Sequence, residues 1–275
     1  MIELDLPTRG IRWSVRIDEA GGPVLAEHEP QRVLNTASVG KIFLLAEVAR
    51  RFEEGALDPA EVLAPTPGDR IADSGILYLF GQQEQSAADL AVLVGAFSDN
   101  MATNMLLRRV GVPAVAALTR RLGFEKSGLH DFVRDDRGPE HPPALSTGTA
   151  AELAAACARI ETGELVSPAV SARLRGWLSA DADLSMTAGA FGLDPLAHGF
   201  ADRGVALWNK TGTIETARID VGCVRAGERA LAYAVLANWD DPGTAAGAGA
   251  HGDPRDEVLA AMRRIGEQVR QHLQE

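Results

Sequence analysis

Three observations predict an α+β fold with one antiparallel sheet built from both chain ends. Strand-like alternation is confined to the beginning and the end of the 275 residues. Between those ends, apolar residues recur at helical spacing. Strands and helices do not alternate one for one, which argues against a parallel, doubly wound sheet. On this reading residues 1–37 and 205–275 make an α/β unit, residues 38–204 make an inserted, mainly helical unit, and the functional site lies between them.

The elements follow in order. Residues 11–17 alternate apolar and polar side chains as a half-buried strand does, and a turn over 19–23 leads to a second strand over 23–27, a hairpin. A helical period then runs over 38–52 through Ile42, Leu45, Ala46, Ala49 and Phe52, with Asn35 or Thr36 as its cap and Gly55 as its stop. Residues 62–83 are rich in Gly, Pro and Asp and read as irregular. Ser86 with Asp89 reads as a capping box for a helix that ends at Phe97. Helices over 101–110 and 112–122 lead into a polar loop over 123–147, a length without structure that is commonly functional. Helices over 150–160 and 168–180, an irregular stretch over 181–204, strands over 205–210, 217–225 and 229–238, and an amphipathic helix over 254–273 complete the chain.

Composition narrows the function. The net charge of −11 argues against a protein that coats nucleic acid or an anionic membrane through bulk charge. No apolar run reaches the ~18 residues of a transmembrane helix. The first ten residues lack the basic start and apolar stretch of an export signal, so a cytoplasmic monomer is the expectation for the chain as given. Cys157 and Cys223 have no metal-ligand spacing and sit in apolar surroundings, which predicts two buried free thiols. No metal-ligand constellation and no Gly-rich phosphate loop is visible, so no metal and no cofactor is implied.

Of the 27 basic residues only Lys41, Lys126 and Lys210 are lysines. Arginine replaces lysine well as a solvated charge but not as an amine that must lose its proton. Lys41 lies three residues after Ser38, on the same face of the expected helix. A serine at a helix start has unpaired backbone N–H groups beside it, which can stabilise an oxyanion, and a desolvated lysine can act as its base. Ser98-Asp99-Asn100 separates two helices and offers a hydroxyl to relay a proton and an amide to meet a substrate carbonyl. Lys210-Thr211-Gly212 follows an apolar strand, where a cation, a hydroxyl and an unobstructed backbone line one edge. The three patterns together, in this order, have a chance expectation on the order of 10⁻⁵. Lys126, His130 and His141 read as solvated charges and side chains of the polar loop.

Ser-x-x-Lys, Ser-Asp-Asn and Lys-Thr-Gly form the motif set of penicillin-recognising serine enzymes, and the chain resembles the class A β-lactamase branch over most of its length. The separation of 60 positions from Ser38 to Ser98, Ala102-Thr103-Asn104 and Ser74-Gly75-Ile76-Leu77 add to the resemblance. It implies a β-lactamase-like fold and a serine hydrolase working through an acyl-enzyme. Ser38 would be the nucleophile, Lys41 its base or proton relay, and Ser98 the donor to the leaving nitrogen. Lys210 would orient Ser98 and, with Thr211, attract a substrate carboxylate. The N–H groups of Ser38 and Thr213, beside Gly212, would form the oxyanion hole, Asn100 would hold the substrate's side-chain amide, and Arg218 would add to carboxylate binding. The implied partner is a small β-lactam, ester or peptide.

The resemblance departs at one place. The family's deacylating glutamate stands in a Glu-x-x-Leu-Asn pattern that this chain lacks, and counting from Leu122-Gly123 puts its position near Val133. Asp131, Asp135, Asp136 and Glu140 are the nearby carboxylates that a rebuilt loop could bring to the site. Three readings follow: a β-lactamase with an unusual deacylation base; a carboxypeptidase, esterase or acyltransferase on the same scaffold; or a non-hydrolysing binding protein that retains the pocket.

Overall fold

The computed structural model describes residues 2–8, 10–71, 73–240 and 253–274. The first half of the chain forms strands β1 (Ile11–Glu19), β2 (Val24–His28) and β3 (Leu34–Asn35), helix α1 (Lys41–Glu53), strands β4 (Val62–Leu63) and β5 (Gln85–Ser86), and helices α2 (Ala87–Phe97), α3 (Asn100–Val110) and α4 (Val112–Arg121). The second half forms strands β6 (Gly128–Leu129) and β7 (Ser146–Gly148), helices α5 (Ala150–Thr162) and α6 (Pro168–Leu178), strands β8 (Val205–Ile214), β9 (Ala217–Ala226) and β10 (Arg229–Trp239), and helix α7 (Arg255–Gln274). The fold is the expected α+β arrangement.

The main sheet has the order β2-β1-β10-β9-β8, with every neighbouring pair antiparallel. The two chain ends meet in its middle, where Ile11 pairs with Trp239 and Glu19 with Leu231. β10 is apolar on both faces, as a strand covered on two sides must be. Leu231, Tyr233 and Val235 face a core completed by Val258, Met262 and Ile265 of α7. Ala232, Ala234 and Leu236 face the second core, which the helices between the strands fill. Among the described residues, no helix is long and apolar enough to cross a membrane.

α1 runs through that second core. Every residue from Lys41 to Ala49 is buried, including Lys41 and Glu47. A helix buried on all sides needs partners for its charges. Glu47 receives Nε and Nη2 of Arg50, each at 2.9 Å, and Nε of Arg51 at 2.7 Å. These donors hold its carboxyl below the usual range although burial pushes the other way.

The observed fold differs from the expected elements in three places. The α-helix starts at Lys41 rather than at 38, because residues Ala37–Gly40 form a 3-10 turn entered through Ala37 at φ +47°. The loop over 123–147 contains β6 and reaches β7, and β7 pairs with β6 on one side and β3 on the other; strands of two or three residues are too short to show a period. β8 continues to Ile214, so Lys210-Thr211-Gly212 lies inside a strand. Ser86 caps α2 as expected, accepting from Asp89 N–H at 3.1 Å. Cys157 and Cys223 are buried and free, and burial pushes both thiols up.

Asp220 of β9 is wholly enclosed. It accepts from Ala188 N–H, Asn209 Nδ2 and Tyr233 Oη at 3.0, 3.1 and 3.2 Å. Burial still pushes its carboxyl up to about 7, from 3.8. A group raised in the folded state stabilises it fully below the unfolded value, and that contribution is lost as pH rises through the folded one. We expect wild type to lose more stability between about pH 5 and pH 8 than Asp220→Asn does, read from urea midpoints; parallel profiles would refute the assignment.

Candidate active site

The turn that carries Ser38 is held from both sides. On one side, Ser146 of β7 donates to Ala37 O at 2.6 Å and meets Thr36 Oγ1 at 2.7 Å. A Cβ on Gly40 would stand 2.3 Å from Ser146 Cβ, so only glycine lets the turn seat there. On the other side, a Cβ on Gly212 would stand 2.3 Å from Thr36 O and 3.3 Å from Ser38 N, so glycine lets β8 pass beside the amide of Ser38. Asn35 Oδ1 accepts from Ala37 N–H at 3.0 Å and secures the entry. Ser38 therefore stands between two walls, one from the β7 side and one from β8.

Lys41, the first residue of α1, is fully buried. Its Nζ donates to Ser98 O at 2.6 Å, Ser98 Oγ at 3.2 Å and Asn100 Oδ1 at 2.8 Å. Burial first, and the charge of Lys210 second, push this amine well below the ordinary lysine value; Asp99, Asp181 and Asp73 oppose them. Loss of one proton would leave a neutral amine hydrogen-bonded to a serine hydroxyl, the arrangement a proton relay needs. Among the described residues no hydrogen bond joins Lys41 to Ser38; the lysine's hydrogen bonds go to Ser98 and Asn100.

Ser98 follows α2 in the left-handed region, at φ +53°. Asp99 then turns inward. Its Oδ2 accepts from Ile76 and Leu77 N–H at 2.7 and 2.8 Å, and its Oδ1 caps α3 through Ala102 N–H at 2.9 Å. The tripeptide thus divides its work: Asp99 is structural, while Ser98 and Asn100 meet Lys41.

A cavity of about 680 Å³ opens over Ser38. Ser98, Asn100, Thr211 and Thr213 line it, as expected from the sequence. Lys210 is buried beneath the wall, donating to Thr211 O at 3.1 Å and standing 3.8 Å from Asp181 Oδ2. Arg218 does not line the cavity. It is buried and gives its Nη1 to Ile214 O and Ala217 O at 2.6 and 2.7 Å, because the tight β8–β9 hairpin presents two carbonyls within its reach.

None of the four carboxylates proposed for deacylation lines the cavity. Asp131 is clasped by Arg134 at 2.7 and 3.1 Å and by Arg137 at 2.7 Å, and these donors hold its carboxyl down against burial. Asp135 and Asp136 line a separate groove with Asp69 and Arg108. Glu140 is exposed beside His141. Val133, the position reached by counting, is clamped by its backbone: Asn104 Nδ2 donates to Val133 O at 3.0 Å and Val133 N–H donates to Asn104 Oδ1 at 2.9 Å.

The cavity adds residues that sequence reasoning missed: Asp73, Arg134, Arg137, Asp181 and Asp183. Asp181 is 1% exposed, and its Oδ2 has no hydrogen-bond partner. Burial pushes its carboxyl up to about 6, with Lys210 pulling it down. It lies in a stretch without period or motif, where no local signal marks it. Asp131, Arg134 and Arg137 did carry one, since opposite charges three and six residues apart can form a cluster. Among the described residues no group of three His, Cys, Asp or Glu side chains is placed to hold a metal.

A family model for the beta-lactamase enzyme family matches residues 8–273. The chain belongs to that family. A β-lactamase from Sphaerobacter thermophilus superposes with a TM-score of 0.80 at 22% identity, over 96% of this chain and 92% of the other. PBP-A superposes with a TM-score of 0.78 at 20% identity, over 97% and 91%. A variant of PBP-A, solved as an acyl-enzyme complex with penicillin G, gives 0.77 at 22%, over 96% and 91%. At these identities the structural likeness is one of fold. Among curated proteins no sequence matched.

Two outcomes test the site. Lys41→Arg keeps the charge but cannot be neutral, and acylation by a penicillin should fall by about 10²-fold or more; a fully active variant would sink the base assignment. Asp181→Asn removes a carboxylate that favours the charged form of Lys41. The acid limb of the acylation-rate profile should move to lower pH, and a limb unmoved or moved upward would contradict the electrostatic reading.

Proposed function

We propose that this member of the β-lactamase family opens β-lactam amides, and related esters, through an acyl-enzyme on Ser38, and that release of the acyl group is its slow step. Ser38 Oγ attacks the lactam carbonyl carbon, the carbon–nitrogen bond breaks, and the serine proton passes by way of Lys41 and Ser98 to the departing nitrogen. The observation that carries this is the buried Lys41 amine held against Ser98 Oγ beside the cavity that Ser38 lines. The N–H groups of Ser38 and Thr213 are the oxyanion donors in this reading, and Asn100 holds the amide of the acyl side chain.

Slow release rests on the loop. Its carboxylates stand outside the cavity, and the one nearest the pocket wall, Asp131, is neutralised by two arginines. A general base contributes about 10²–10⁴-fold to such a step, so a loop that brings none to the cavity lengthens the adduct's life correspondingly.

Fluorescent penicillin and a chromogenic cephalosporin test both halves. Intact mass should show one penicillin added at Ser38, absent from Ser38→Ala, with breakdown slower than formation. No adduct on Ser38 would overturn the nucleophile. Rapid steady hydrolysis without accumulation would overturn the slow step and favour an efficient β-lactamase.

A further inference from the structure

The loop over 131–137 places two guanidinium groups on the cavity wall where the sequence resemblance led us to look for a carboxylate. Arg134 and Arg137 both line the cavity, and both are fixed. Arg134 uses Nε and Nη2 on Asp131. Arg137 uses Nη1 on Asp131 and Pro142 O, and Nη2 on Phe132 O at 3.2 Å. Asp131 is the carboxylate that both guanidinium groups share, while Asp135 and Asp136 line a neighbouring groove that Arg134 also borders, so on the cavity side the loop presents guanidinium groups alone. An arginine has five N–H donors, and Arg134 Nη1 donates to no partner among the described residues. Exposed Glu140 also favours the charged form of Arg134.

The wall's position relative to the reacting bond follows from α3. Asn100 and Asn104 are one turn apart on that helix and share a face. Asn100 faces the cavity, and Asn104 clamps the loop through Val133. The loop therefore lies alongside Asn100, on the acyl side. Of the cavity's carboxylates, Asp181 stands by Lys210, and Asp183, whose carbonyl accepts from Asn209 of β8, lies on that side too. Asp73 precedes Ser74, whose carbonyl accepts from Asn100 N–H at 2.9 Å, so among the described residues it is the one cavity carboxylate beside Asn100. The loop wall itself presents guanidinium groups to the cavity and no carboxylate.

We infer that the acyl part of the substrate bears a carboxylate, which Arg134 and Arg137 recognise. This rests on the acyl-enzyme reading in which Asn100 holds the acyl amide. Guanidinium groups already oriented by Asp131 and by backbone carbonyls lose little freedom on meeting such an anion.

Benzylpenicillin and its α-carboxy analogue differ by one carboxylate on the acyl side chain, and they supply the test. Second-order acylation constants are measured by intact mass for both. The α-carboxy compound should react about tenfold faster, as a charge-assisted contact predicts. The ratio should fall to about one in Arg134→Gln combined with Arg137→Gln, and stay above one in Arg137→Lys. In wild type it should also decline as salt is raised, a readout that needs no variant to fold. A wild-type ratio at or below one, a salt-independent ratio, or a ratio unchanged in the double variant would overturn the inference while leaving acylation standing. No adduct with either compound would overturn the acylation reading and this inference with it.

Discussion

The site depends on one constraint, the burial of an amine. Lys41 lies inside the helical core at the start of α1, and its three hydrogen bonds reach only the second motif. A charge in that position is costly unless fully partnered, so Ser98 and Asn100 must present their oxygens to it. That demand explains the left-handed backbone at Ser98 and the inward turn of Asp99, which ties the segment after Ser74 to the start of α3. The same burial, reinforced by Lys210, makes the neutral amine accessible. Structure and chemistry here have one cause.

The second organising feature is the clasp around Asp131. A buried carboxylate held by two guanidinium groups is expensive to break, so the loop over 131–137 has little freedom to deliver another group to the reaction. Its backbone is fixed again through Asn104 and Val133. The clasp gives a rigid wall that presents two arginines to the cavity. Rigidity of this kind favours selection among the molecules that enter.

The parts of the site that were legible in the sequence are those set by local spacing. Ser38 and Lys41 are three residues apart, Ser98 to Asn100 are contiguous, and Lys210 to Thr213 are contiguous within β8, so a pattern along the chain carried them. The long helices and the main strands were legible for the same reason, each being long enough to repeat its period. β6 and β7 were not, being too short for any alternation. The 3-10 entry to α1 depends on Ala37 adopting a left-handed backbone under the hold of Ser146, a contact across 109 residues. Asp181 acquires meaning only from its distance to Lys210. The place of Arg218 was not legible, because its neighbours along β9 say nothing about the hairpin carbonyls that hold it.

The sheet's construction from both chain ends has a consequence for biogenesis. β1 cannot complete its pairing until β10 has been made, more than two hundred residues later, and Thr211 and Thr213 enter the cavity only with β8. Synthesis therefore delivers Ser38 and Lys41 long before the wall that completes their cavity. Loop closure of that length makes the pairing slow to find. A nascent chain still missing its last quarter holds Ser38 and Lys41 without their β8 wall, so the cavity takes shape only once β8 has been made.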